Sequence, residues 1–194
     1  MVDAWRFPRR SSFDTEGEVQ RVLGKLEAAG SANSLLRLVA NSESTFRPFV
    51  LMADALLVRS GLSATIRELV ILRVSAQLDV DYIRREHELA ARASGLSDEA
   101  IATALEPDAL AGNLDPDQRL ALRVTGTLLA GQRLGDEDWQ EMIDAWGGQG
   151  ALDLVLAIGW WGGMVATTIR GLGAHGLDDD PTTVDDSPEM KGAL

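Results

Sequence analysis

The sequence predicts an all-α protein, a helical bundle built around a central antiparallel helical hairpin. Two observations carry that expectation. Val, Ile, Thr and Tyr nowhere alternate with polar residues over a strand's length, whereas apolar residues recur at spacings of three and four along the chain. Capping residues stand ahead of the periodic runs, at Ser63, Ser97 and Asp115, and glycines stand behind them, at Gly30, Gly61, Gly95 and Gly171.

The elements follow in order. Val19, Val22, Leu23 and Leu26 predict a first helix over 14–29, stopped by Gly30. A short helix is expected over 33–40, and a longer one over 43–60 with Pro48 in its early turns. Ser63 caps a helix reaching Gln77, Leu78-Asp79 forms a tight connection, and a helix over 80–94 ends at Gly95. Ser97-Asp98-Glu99 opens a short helix to Leu105, and 107–113 reads as a loop. Asp115-Pro116 places proline at the first position of a helix to about Gln132. One further helix is expected over 136–145. The glycines at 147, 148 and 150 mark a break, and a last helix runs over 151–170. The expected organisation is an N-terminal arm over 1–13, one all-helical domain over 14–176, and an acidic disordered tail over 177–194.

Composition narrows the chemistry. The 194 residues are 45% apolar and 25% charged, the balance of a soluble globular domain with a full core. The net charge of −12 argues against a nucleic-acid groove and against docking on an anionic membrane. No cysteine is present, so disulfide, iron–sulfur and thiol chemistry are excluded. Two histidines, His87 and His175, are too few for a His-rich metal site, and no metal or cofactor is expected. The apolar stretch 154–166 is short for a membrane span and no targeting segment is visible, so a cytoplasmic location is expected.

The stretch 63–95 carries the candidate site. Its first helix is apolar nearly all round and therefore buried, yet it contains Glu68. Ile71, Leu72 and Ser75 share the Glu68 face, so the carboxylate must find a partner or carry a raised pKa. Folding the next helix back around 78–79 sets His87 within two residues of the Glu68 level, roughly 3 Å along the axis. Val80, Ile83 and Arg84 lie on the His87 face, and Tyr82 is the chain's one tyrosine. The result is an acid–imidazole pair with an apolar wall of Val80, Ile83 and Leu72. A second reading is a satisfied polar contact in a bundle core. Arg67, Arg73, Arg84 and Arg85 read chiefly as a solvated or interface face.

These residues resemble the carboxymuconolactone decarboxylase family, which includes the alkylhydroperoxidase-D-like proteins. The resemblance rests on Arg67-Glu68-Leu69 before an apolar run, on Tyr82 and His87 in the next helix, and on Gly95-Leu96-Ser97-Asp98-Glu99 after it. Phe46-Arg47-Pro48-Phe49, Leu114-Asp115-Pro116 and the closing LAIGWWGGMVA extend it over about 33–173. It implies the alkylhydroperoxidase-D-like helical bundle and association into a homodimer or larger. The family's peroxidase branch uses a Cys-x-x-Cys pair, whose positions here correspond to Val80 and Ile83; thiol peroxidase activity is thereby excluded. The decarboxylase branch works without thiol or cofactor, and there a Glu68–His87 pair would shuttle one proton.

The expected function is a cofactor-independent, proton-transferring enzyme, a lyase or isomerase acting on a small organic acid, lactone or secondary-metabolite carbonyl. Glu68 and His87 would be the acid–base pair and Tyr82 a hydrogen-bond donor. Val80, Ile83, Arg84, Leu72, Trp160 and Trp161 would line the pocket. The alternatives are a non-catalytic binding or assembly protein on the same scaffold and a rearrangement or cyclisation catalyst.

Overall fold

A computed structural model describes residues 6–106 and 112–172. Among them every regular element is helical and no strand occurs, as the spacing predicts. The acidic tail, His175, the first five residues of the arm and 107–111 of the expected loop lie outside the described residues. The described residues fall into two compact units, one from 6–59 with Leu172, the other from 60–106 and 112–171.

In the first unit, α1 (Gly17–Ala28) and α2 (Ser34–Val39) both pack on α3 (Glu43–Val58). α1 buries the four apolar residues that its spacing set on one face. Gly30 follows it at φ 68°, a left-handed conformation that costs an L side chain energy but glycine nothing. The Asn33 side chain accepts from Leu36 N–H and caps α2.

The second unit is organised around α4 (Ala64–Gln77), which packs against α5 (Asp81–Ala93), α6 (Asp98–Leu105), α7 (Pro116–Leu129), α8 (Asp136–Gly159) and a π-helical turn (Trp160–Val165). α9 (Ala166–Gly171) continues from that turn. Contact on all sides explains why α4 is apolar nearly all round: Leu69, Val70, Ile71, Leu72 and Val74 have no exposed surface. Ser63, Ser97 and Asp115 each accept a backbone N–H at the helix starts, and Asp115 completes a capping box with Gln118. The α4–α5 corner turns on Asp79, whose φ of 51° is left-handed, a state that aspartate tolerates.

Two departures from the expected elements lie in α8 and beyond. The break at 147–150 is a kink at Gly147 (φ 67°, ψ 175°), after which the helix resumes immediately. Packing within the helix explains the glycine at 150: a Cβ there would lie 2.6 Å from the Trp146 Cβ. The last helix is also not α throughout, because 160–165 is π-helical. A π-turn carries an additional residue within a helix and has no signature in apolar spacing. The helical run Asp136–Gly171 contains an 18-residue window of mean hydropathy 1.5, long and apolar enough by length and composition to cross a membrane, where 154–166 alone is too short. The Gly147 kink divides it, and Ala151, Leu154, Ala157 and Ile158 are buried within the unit.

Candidate active site

The α4–α5 hairpin brings together the two residues that the sequence pairs. His87 Nδ1 lies 2.7 Å from Glu68 Oε2. Both ends are rigidly placed: Glu68 is central in the most buried helix, and His87 stands one turn after the buried Ile83 on α5. Glu68 is 3% exposed. Burial pushes its carboxyl up, but the charges and hydrogen bonds of His87 and Arg67 together outweigh burial and hold it below its ordinary value. Glu68 is therefore a buried carboxylate kept ionised by two partners.

The second partner is Arg67, whose Nε donates to Glu68 Oε1 at 3.3 Å. This corrects the reading of Arg67 and Arg73 as part of a solvated or interface face, whereas Arg84 and Arg85 do lie at the surface. The Arg67 side chain is only 14% exposed. Arg73 is buried, and it donates to the carbonyls of Ala104 and Glu106 at the end of α6. Helical spacing conceals both roles. Neighbours i and i+1 point about 100° apart, so Arg67 and Glu68 do not share a face. A guanidinium on three methylenes nevertheless reaches round to the next residue's carboxylate.

His87 also meets an aromatic ring. The Trp161 ring meets it edge-on, with centroids 5.8 Å apart and planes at 88°. Trp161 sits in the π-turn, so the irregular segment delivers the aromatic wall. His87 Nε2 makes no hydrogen bond among the described residues, and it is not among the unpartnered buried nitrogens, so solvent reaches it.

The other candidates fall around this centre as follows. Leu72, Val80 and Ile83 are buried, the first on the Glu68 face of α4 and the others on the His87 face of α5. Trp160 is buried beside Trp161 in the chain. Tyr82 is half-buried, five residues before His87 and so about 140° round the helix. Arg84 pairs with Asp81 at 2.7 Å and Glu88 at 3.5 Å on the surface of α5. An apolar cleft of about 390 Å³ lies elsewhere in the unit, lined by Leu78, Leu128, Leu129, Val155, Ile158, Gly159, Gly162 and Gly163; no candidate site residue lines it. Among the described residues no cluster of three His, Asp or Glu side chains could hold a metal ion.

Residues 43–125, which span α3 to α7 and include both Glu68 and His87, match the model of the Carboxymuconolactone decarboxylase family. No curated protein matches the sequence. Among solved structures, the chain is similar to a peroxidase-related protein from Ralstonia eutropha JMP134, described as an alkylhydroperoxidase AhpD core: TM-score 0.73, 21% identity, 90% of this chain and 93% of that one covered. It is also similar to a peroxidase-related protein from Silicibacter sp. TM1040: TM-score 0.64, 20% identity, 76% and 78% covered. At these identities the likeness shows the fold, which is that of the AhpD core.

Proposed function

We propose that this chain, a member of the Carboxymuconolactone decarboxylase family that lacks the Cys-x-x-Cys pair, is a cofactor-independent catalyst of proton transfer on a small organic acid, lactone or related carbonyl compound. The carrying observation is the 2.7 Å contact between a buried carboxylate and His87 Nδ1, with Nε2 left open to solvent. With Nδ1–H donated to Glu68, the lone pair on Nε2 is the base. It takes a proton from carbon beside a carbonyl, and the electron pair passes into the enolate. Glu68 stabilises the imidazolium that forms, and Nε2–H returns the proton to carbon. If the substrate carries a β-carboxylate, loss of CO2 leaves the same enolate, and a protonated His87 delivers the proton. Glu68 orients the ring and Trp161 walls one side of it.

Deuterium incorporation tests the reading. A panel of 3-oxo acids and carboxylated lactones in D2O is followed by NMR with the intact protein, His87→Asn and Glu68→Gln. Saturable exchange or CO2 release that both substitutions abolish supports it. Turnover that survives both substitutions in folded protein rules it out.

A second reading, assembly, is favoured by one feature. Leu152, Leu156 and Met164 are exposed along α8 and the π-turn, a face free of charge in a chain of net −12. A second copy of this chain is the proposed occupant, giving a homodimer or larger. Light scattering at micromolar concentration tests it: a monomeric mass rejects the assembly, and Leu156→Glu should dissociate it.

A further inference from the structure

Both oxygens of Glu68 are engaged, Oε2 by His87 and Oε1 by Arg67. One carboxylate therefore holds an imidazole and a guanidinium side by side. The guanidinium uses only Nε in doing so. Its two terminal nitrogens have no hydrogen-bond partner among the described residues, and neither is sealed from solvent. Other arginines with little exposure in this protein are used differently. Arg73 donates to the carbonyls of Ala104 and Glu106, and Arg37 to the carbonyls of Ala32 and Arg10 as well as to Glu27. Arg67 stands apart: a largely buried cation, anchored at Nε to the carboxylate that also holds His87, with both terminal nitrogens open.

We propose that the Arg67 fork seats the carboxylate of the substrate, which makes the substrate class a small organic carboxylate that keeps its acid group through the reaction. Two parallel N–H donors match a carboxylate, and burial strengthens the charge-assisted bonds. The local charge favours this ligand: Arg67 and Glu68 cancel, and each proton taken by His87 leaves the site net positive inside a chain of net −12. A carboxylate held on the fork presents its neighbouring carbons to His87 Nε2. A leaving carboxylate would instead be stabilised by such a clamp and its departure slowed, so the seat favours proton abstraction over decarboxylation of the seated acid group. The proposal rests on the proton-transfer reading for the use of His87, but not for binding.

The test reads binding separately from turnover. The ring protons of His87 are followed by NMR, assigned with His175→Gln, during titration with benzoate or its neutral isostere benzamide at fixed ionic strength. Saturable shifts with benzoate, and binding of benzamide weaker by about tenfold or more, are expected. Arg67→Gln should weaken benzoate by a similar factor, and Arg67→Lys by less, because it keeps the charge without the fork. Equal affinity for benzoate and benzamide, or an unchanged benzoate Kd in folded Arg67→Gln, overturns the seat. Should Arg67→Gln not fold, the benzoate–benzamide comparison and Arg67→Lys decide. If benzoate needs Arg67 but exchange survives His87→Asn, the proton-transfer reading falls and the seat stands. If exchange needs His87 but benzoate ignores Arg67, the seat falls alone.

Discussion

Glu27, which is partly buried, and Glu68, which is buried, are used in opposite ways. Glu27, in the first unit, accepts from the backbone N–H and hydroxyl of Ser12 and from Arg37. Arg37 in turn donates to the carbonyls of Ala32 and Arg10. Arg37 spends both Nε and Nη1 on these partners, so the cluster ties 10–12 to α1 and α2. Glu68, in the second unit, holds two side chains that each keep an open end. Burial pushes both carboxyls up, Glu68 more than the partly exposed Glu27, and in both the partners outweigh it and hold the group below its ordinary value. A lowered carboxyl pKa therefore does not distinguish scaffold from site. What distinguishes them is how far the partners are tied down: Arg37 is bound through Nε and Nη1 to main-chain carbonyls as well as to Glu27, whereas Arg67 is bound through Nε alone and His87 through Nδ1 alone.

The sharpest way to break that contrast is at the open end. His87→Asn should lower proton exchange by roughly 100-fold or more, with a stability loss of no more than about 1 kcal/mol, because Arg67 still pairs with Glu68. Exchange rates and urea midpoints on the same preparations check it. Glu27→Ala should behave the other way round. The hydrogen bonds of three donor groups to one partly buried carboxylate are lost, at a cost of on the order of 1–3 kcal/mol, while the exchange rate per folded molecule stays unchanged. A Glu27 variant that loses exchange without losing stability would erase the distinction.

Much of this was legible in the sequence, for identifiable reasons. The hairpin was, because helical spacing, the Ser63 cap and the 78–79 corner fix which residues of α4 and α5 are level. Glu68 was, because a carboxylate in an all-apolar helix demands a partner and His87 is the residue within reach. Arg67 was not, since a long side chain crosses helical faces that spacing treats as separate. The π-turn was not, since one added residue in a run of Trp and Gly leaves no mark on periodicity, and with it went the reason that Trp161 meets His87. Arg84 reads from spacing as part of the His87 face, but Asp81 and Glu88 lie on that same helix and take it.

Acid titration should sharpen the comparison further. A carboxyl with a lowered folded-state value binds fewer protons folded than unfolded. Its stabilisation is complete above the unfolded value near 4.5 and is lost as pH falls through the lower folded value. The urea midpoint should therefore fall below about pH 4.5. Glu27→Gln and Glu68→Gln should each flatten the fall, and a midpoint as steep in both variants as in the parent protein would deny that either group contributes.

The smallest effect expected is at Arg84. It sits three residues before His87, close enough in sequence to be taken for an anion clamp. Its guanidinium is bound to Asp81 through both Nε and Nη2, with Glu88 at 3.5 Å, and these acids hold its pKa above the ordinary arginine value. A cation already neutralised by two carboxylates on an exposed helix face has little left to offer an anionic ligand, and such exposed pairs contribute only about 0–1 kcal/mol. Arg84→Ala should thus leave stability within that range and change benzoate affinity by less than about twofold. The NMR titration that reads Arg67 reads this variant as well. A loss at Arg84 as large as that at Arg67 would move the carboxylate seat from α4 to the surface of α5, and openness of the buried partner would no longer be what marks the site.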